Sequence, residues 1–392
     1  MPVYGKPLIG RNLTVFLSKQ TDADTPAYPA AGDAMRVTEL SGFQFRAQMI
    51  ESPERIPNSL DVPKLIGAGL AHAEGTIAAL IKPGAAGVVH GDKLLEALFG
   101  RRNYDAATKR VTYTQYAPSD PETYWTIAFM LDRVAFWLIG CRCTGGQFRF
   151  SGESRADDIF QVSTDWIALR RAYAGVSQLT AAAATGATTL SVANAKLFEK
   201  DAQILVGSQA TVYTVTGVDY AANTLTISPG LSASASSGDT VKPYLPTPSV
   251  PSGTEIWTGL GWARQGSTAI PIVSASVRYE VPLEVVREKA NTVFPTRVFE
   301  SDPRNVTAEV VLFMGADELQ YLRDAIDTTI WELDFEAGDP SGPGPWAKLS
   351  IPRAATSDVS FDIDPAAVRM TRRFRGLANA GNDVISLTVQ TT

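Results

Sequence analysis

The chain has 392 residues, of which 45% are hydrophobic and 19% charged, with a formal net charge of −6. That length exceeds one ordinary core and points to two or three domains, and the acidic balance argues against a surface built to hold phosphates. Two cysteines give no disulfide framework, no apolar run approaches the roughly 20 residues that span a bilayer, and MPVYGKPLIGRN lacks a signal-peptide core, so a soluble protein made in a reducing compartment is expected.

Residues 1 to 34 read as an extended arm. Leu13–Leu17 could form a strand, but Thr21–Asp33 is a run of Thr, Asp, Ala and Pro without periodicity. Phe43–Met49 then alternates apolar with polar residues, as a half-buried strand does. Ile50–Gly69 carries three prolines, mixed charge and a few aliphatics, the composition of a long binding loop.

His72–Gly100 reads as a strand, a Gly-rich turn and a short helix. Gly75–Ile81 is β-branched and aliphatic, and Pro83-Gly84 stops it. Asp92 stands where an N-cap belongs, Leu94, Leu95 and Leu98 form one helical stripe, and Gly100 ends it. Arg110–Gln115, Trp125–Leu131, Val134–Phe150 and Ile159–Ser163 follow as strands. Cys141 and Cys143 fall on one face of their strand. No histidine pair at ligand spacing accompanies them, so they read as packing residues rather than metal ligands.

Residues 176–244 turn to Ala, Thr, Ser, Gly and Val. Short strands at Thr189–Val192, Gln203–Val206, Val212–Val218, Thr224–Ile227 and Asp239–Tyr244 predict a small all-β barrel inserted between two larger units and free to project. Lys242–Gly253, with four prolines, reads as a stiff return strap.

The last part, 245–392, repeats the opening pattern. Val273–Val281 alternates like Phe43–Met49, and Asn305–Ile326 is again strand, turn and helix, the helix opening at Asp317 with Leu319 and Leu322 inward. Setting Arg46 on Arg278 and Ile77 on Val310 preserves the interval between the two strands to within one residue, which predicts a duplicated domain. Pro282–Arg304 matches the earlier loop, and its Val286, Val293, Phe294 and Phe299 suit an arm laid on a neighbouring copy. Strands are expected at Trp331–Phe335, Ala347–Ile351, Val359–Ile363, Val368–Phe374 and Asp383–Val389. Arg369, Arg372, Arg373 and Arg375 form the densest basic cluster. Without stacking aromatics it suits acidic residues of a neighbour, or solvent, better than nucleic acid.

Catalytic signatures are missing. GxSxG, HExxH and the phosphate-binding GxxxxGK[ST] pattern do not occur, and two histidines are a poor basis for acid–base chemistry. The expectation is a protein that is not an enzyme, with no cofactor and no metal.

The strand-turn-helix EGTIAALIKPG…GDKLLEALFG, the later GCRCTGGQFRFSGE and the long loop before them resemble the tail tube proteins of long-tailed bacteriophages. The insert, TTLSVANAKLF…VYTVTGVDYAANTLTISPGL, is similar to small β modules that decorate phage tail proteins. The second repeat departs from the pattern, with a shorter strand–helix turn and no Gly-Cys strand. The resemblance implies a mainly β fold: two tandem tube-like β-sandwich or barrel domains (1–175 with the arm, and 245–392), each with a flanking helix, around the inserted barrel at 176–244. It implies a virion structural protein whose six-fold rings stack into the hollow tail tube that conducts the genome. Two domains per chain imply trimeric rings with pseudo-six-fold symmetry, the insert outward. Implied partners are other copies and the terminator, baseplate and tape-measure proteins of the tail. Double-stranded DNA would pass without specific binding through an anionic lumen. On this reading Arg55, Leu60, Lys64, Leu65, Val293, Phe294 and Phe299 contact the adjacent ring, and Gln44, Gln48, Glu280 and Glu309 are lumen candidates. The rivals are a single-ring terminator or baseplate hub of the same fold, and a virion decoration or adhesin protein.

Overall fold

Alternating apolar and polar residues turn most of this chain into strands, and two unusually long strands decide how the others are arranged. The computed structural model describes residues 14–43, 49–51, 65–67, 71–117, 120–151, 158–286, 294–314, 320–327, 329–342, 344–364, 367–378 and 383–392. The first part of the chain forms β1 (Thr14–Gln20), β2 (Ala34–Arg36), β3 (Glu39–Gly42), β4 (Ala73–Leu80), α1 (Asp92–Phe99), β5 (Gly100–Asp105), β6 (Arg110–Gln115), β7 (Tyr124–Leu131), β8 (Val134–Ser151), β9 (Gln161–Ala168) and β10 (Arg170–Ala174). The last part forms β11 (Ala263–Gln265), β12 (Thr268–Ile270), β13 (Ser274–Glu280), β14 (Asn305–Phe313), α2 (Gln320–Asp327), β15 (Ile330–Ala337), β16 (Ala347–Asp364), β17 (Ala367–Gly376) and β18 (Ser386–Gln390). The protein is mainly β, and these strands join in one large antiparallel sheet of 18.

β8 belongs to two ladders. Its first part lies between β7 and β10, and its last part between β9 and β13. A bulge between Cys143 and Gly145, just inside the second ladder, bends the strand. β16 repeats this design: it also has 18 residues, and its bulge falls between Thr356 and Asp358, the same distance from its start. β7 and β15 each have 8 residues, and the long strand opposite each of them bulges just past a tryptophan at its second position, Trp125 and Trp331. Strand order repeats as well. In the first part it is β3–β4–β9–β8, and in the last β13–β14–β17–β16.

Following these ladders from β8 and β16 sets Ile77 against Val310, the match the sequence spacing gives. One strand further, Leu40 falls against Ala275; Arg46, set on Arg278 by the sequence, lies outside the described residues. The strand beside β4 is Glu39–Gly42; of the expected strand Phe43–Met49, residues 44–48 lie outside the described ones. Gly42 has φ 79 and Phe43 φ 54, which turns the chain off the ladder. A Cβ on Gly42 would stand 2.6 Å from the Glu74 carbonyl, so only glycine fits at that corner.

Among the described residues, two ladders join the parts. β8 pairs with β13 from Gly145 opposite Glu280 to Ser151 opposite Ser274, and β6 pairs with β18. α1 seals the first tie from the core side. Leu94, Leu95 and Leu98 are buried as its stripe predicts, and the Phe99 ring lies 6.1 Å from Phe148 of β8 and 5.9 Å from Tyr279 of β13. The helix is capped by Gly91 (φ 84) rather than by Asp92. The Asp92 carboxylate instead accepts hydrogen bonds from Arg102 (2.7 Å) and from the Tyr113 hydroxyl.

Three other expectations need correcting. Of the expected arm, residues 1–13 lie outside the described ones, and residues 14–33 are not free: β1 is a buried strand between β7 and β2, and Asp22 ties its own turn by accepting from the Asp24 and Thr25 amides. Ala347–Ile351 and Val359–Ile363 are one strand, with Pro352 placed where the bulge against β15 needs no amide donor. The insert is a separate six-stranded antiparallel sheet, from Ser177–Gln178 to Thr240–Pro243, but it does not stand clear of the rest. Leu179, Leu190, Phe198 and Ile204 share one core with Phe16, Ala128, Trp137, Ile139 and Ala172 of the first part.

Candidate functional site

One face of the strand row β3–β4–β9–β8–β13–β14–β17–β16 is mostly polar, with Ala78, Val311 and the exposed Phe313 among its apolar members and Ile167 covered by Val298. Opposed residues in antiparallel ladders point the same way, so the registers define this face without ambiguity. It carries Glu39, Ser41, Glu74, Thr76, Asp165, Gln147, Arg149, Ser276, Arg278, Glu280, Thr307, Glu309, Thr371, Arg373, Arg375, Asp358 and Asp362. The other face buries Ile77, Val162, Phe148, Val277, Val310 and Phe374.

Acids on the polar face are interlaced with arginines. Arg278 reaches Glu280 at 2.6 Å and Asp165 at 3.6 Å, and Thr76 donates to Asp165 at 2.9 Å. Arg373 bridges Glu309 at 3.0 Å and Asp358 at 3.2 Å, and the Glu309 hydrogen bond raises its pKa above the usual arginine value. Such exposed pairs add little stability, but they shape the field. The surface presents alternating charge among serines and threonines, not a continuous negative sheet.

Two of the four lumen candidates, Glu280 and Glu309, lie on this face. Gln44 and Gln48 lie outside the described residues, as do Arg55, Leu60, Lys64 and Val293. Leu65 opens a short strand, Leu65–Gly67, paired with Met49–Glu51. Phe294 and Phe299 belong to the later loop, which forms a hairpin of Leu283–Val286 with Arg297–Glu300. Phe294 is exposed and Phe299 half-buried. The base of this hairpin rests on the chain's own first part. Val298 is buried with Tyr124, Ile167 and Leu169, and its carbonyl accepts from the buried Arg142 guanidinium at 2.7 Å. Arg278 and Arg373 are the partners of the two glutamates, and Asp165 and Asp358, which sequence reading did not single out, share those arginines. Their alternation phase was readable, but which strands stand side by side was not.

The basic cluster splits. Arg369, Arg373 and Arg375 are exposed on the polar face, whereas Arg372 points the opposite way and is fully buried. Period-two alternation separates residue 372 from its neighbours. Arg373 finds its acids within the chain rather than on a neighbour. Cys141 and Cys143 are both buried, and burial pushes the Cys143 thiol up to about 12, which makes it unreactive. Among the described residues no group of His, Cys, Asp and Glu is arranged to hold a metal ion.

No known protein family matches this chain, and no curated protein matches it.

Proposed function

We propose that the chain is the structural subunit of a phage tail tube, built from two tandem tube domains with a decorating β module. The observation that carries this reading is the repeated ladder: two four-strand rows of the same order, joined edge to edge through β8 and β13. A row that already continues from one copy of a motif into the next is suited to continuing around an axis. Three chains would then supply six copies, with the polar face of the row turned inward. Interlaced acids and arginines among serines would give DNA phosphates no run of cations to bind, so DNA could slide. The insert lies on the far side of the core from this face, which suits an outward position.

End-on averages from negative-stain electron microscopy of the purified protein test the reading. Hollow tubes with a roughly six-lobed wall and three peripheral knobs are expected. Six knobs would put six chains in each ring and refute the trimer. Monomers, or single closed rings under all assembly conditions, would replace the tube subunit with a terminator or decoration protein.

A further inference from the structure

The C-terminal part of β8 has a strand on each side, but its counterpart in β16 has only one. Residues 358–364 pair with β17 and, among the described residues, have no second neighbour. β3 pairs with β4 and is open on its other side in the same sense. Natural edge strands discourage pairing with charges, proline or short length. This edge carries Asp358 and Asp362 on its polar face, but it is long, has no proline, and leaves Phe361 43% and Ile363 79% exposed on the other face. It has the side-chain pattern of a strand covered on both sides.

The chain itself contains the covered version. In the internal tie, Phe148 stands opposite Val277 and Phe150 opposite Ala275. The shared bulge places Phe361 and Ile363 where Phe148 and Phe150 stand, and the ladder through β4 and β14 places Gly42 and Leu40 where Val277 and Ala275 stand. We propose that β16 of one copy takes β3 of a second copy as its antiparallel neighbour, with Phe361 opposite Gly42, Asp362 opposite Ser41 and Ile363 opposite Leu40. The two edges are different, so the contact is heterologous and leaves each copy one edge to offer onward. The polar face runs on across the join without a break. Closure into a ring rests on the tube reading; the pairing and its register do not.

Cysteine pairs in the full-length protein test the register. Directly opposed residues have Cα atoms about 5 Å apart, within disulfide reach. Leu40→Cys/Ile363→Cys should form interchain disulfides on mild oxidation, giving covalent oligomers, and a mixture of the two single variants should give only dimers. Ser41→Cys/Asp362→Cys, both on the exposed face, repeats the test without touching the half-buried Leu40. The shifted pair Leu40→Cys/Phe361→Cys should react at least about tenfold more slowly, because diagonal neighbours stand about 7 Å or more apart. Equal cross-linking of the shifted pair overturns the register. Self-cross-linking of Ile363→Cys alone shows a symmetric β16–β16 contact and overturns the pairing. Tubes or rings that form without cross-links also overturn it while leaving the tube reading standing. A strictly monomeric wild-type chain overturns both.

Discussion

Arg372 is the most demanding residue in the molecule. Its counterpart in the first part is Thr164, a small buried residue that donates to the Ile77 carbonyl at 2.9 Å. In the last part a whole guanidinium fills the space beneath α2. It donates to Gln265 at 2.8 Å and to Asp324 at 3.3 Å, and it stacks 4.0 Å from the Tyr321 ring centre and 4.8 Å from that of Phe374. Burial pushes its pKa below the usual arginine value while Asp324 pulls it back, and a guanidinium so placed remains charged. Removing it strands a carboxylate and an amide. Arg372→Ala should therefore lower unfolding stability by about 3 kcal/mol in urea titrations, the range for breaking a buried ion pair. Arg372→Lys should recover little, because an ammonium cannot span both acceptors or stack flat on two rings. A change below about 0.5 kcal/mol, the size of an ordinary surface substitution, would show that α2 does not depend on this anchor.

The long bent strands carry the logic at the level of elements. Gly145 sits at the bulge of β8, where a Cβ would stand 2.7 Å from the Tyr279 carbonyl across the internal tie. Its counterpart in β16 is Asp358, an exposed residue on the open edge. Gly145→Ala should push β8 away from β13 and cost about 2 kcal/mol, as overpacking does. Asp358→Ala should cost less than about 1 kcal/mol in the monomer, since it gives up only a surface pair with Arg373. Equal effects in denaturant titrations would mean that the tie is not tightly packed. This contrast also marks what the sequence made legible. The strands of the last part stand out because Asn305–Phe313 and Val273–Val281 alternate cleanly, and Ile77 meets Val310 by spacing alone. The equivalence of β8 and β16 does not stand out, because Gly145 and Gly146 answer to Asp358 and Val359, and Cys141 and Cys143 to Ala354 and Thr356. The backbone repeats while the chemistry follows whether a neighbour is present. Phe43–Met49 alternates as well as any strand, and only pairing with β4 selects Glu39–Gly42 as the neighbour. The same limit hid the polar face: phase can be read along one strand, whereas the Arg278–Asp165 and Arg373–Asp358 pairs need strands from distant parts of the chain.

Across the whole molecule, the first part is a stack of layers in which each strand face has an assigned cover. The polar face comes first, then the strand row with β3 and β4, then the core holding α1. Next comes the sheet of β2, β1, β7, β8 and β10, and last the insert. Outside the bulge beside Trp125, residues in that sheet alternate between two cores. Val15, Leu17, Ile127 and Leu138 face the main core, and Phe16, Ala128, Trp137 and Ile139 face the insert. The last part has no insert, and its matching positions are polar. Ala128 answers to Asp334, Ala135 to Lys348 and Trp137 to Ser350. These three residues form their own cluster, in which Asp334 accepts from Lys348 at 2.9 Å and from the Ser350 hydroxyl at 2.5 Å. The insert is therefore a lid over a surface that has become apolar to receive it. Gln178 and Thr240 are paired at its base, so residues 179–239 can be exchanged for an Asn-Gly hairpin turn. That deletion should uncover an apolar patch of roughly several hundred Å² and make the protein bind a hydrophobic dye and self-associate. Adding Ala128→Asp, Ala135→Lys and Trp137→Ser copies the cluster of the last part and should restore a dispersed, dye-negative protein. If the tube reading is right, it should also restore tubes, now without peripheral knobs. A deletion that remains dispersed and dye-negative without those substitutions would make the insert a passenger. Trp137 would then need some other cover, because a buried indole released to water on an otherwise intact sheet has no other way to remain silent.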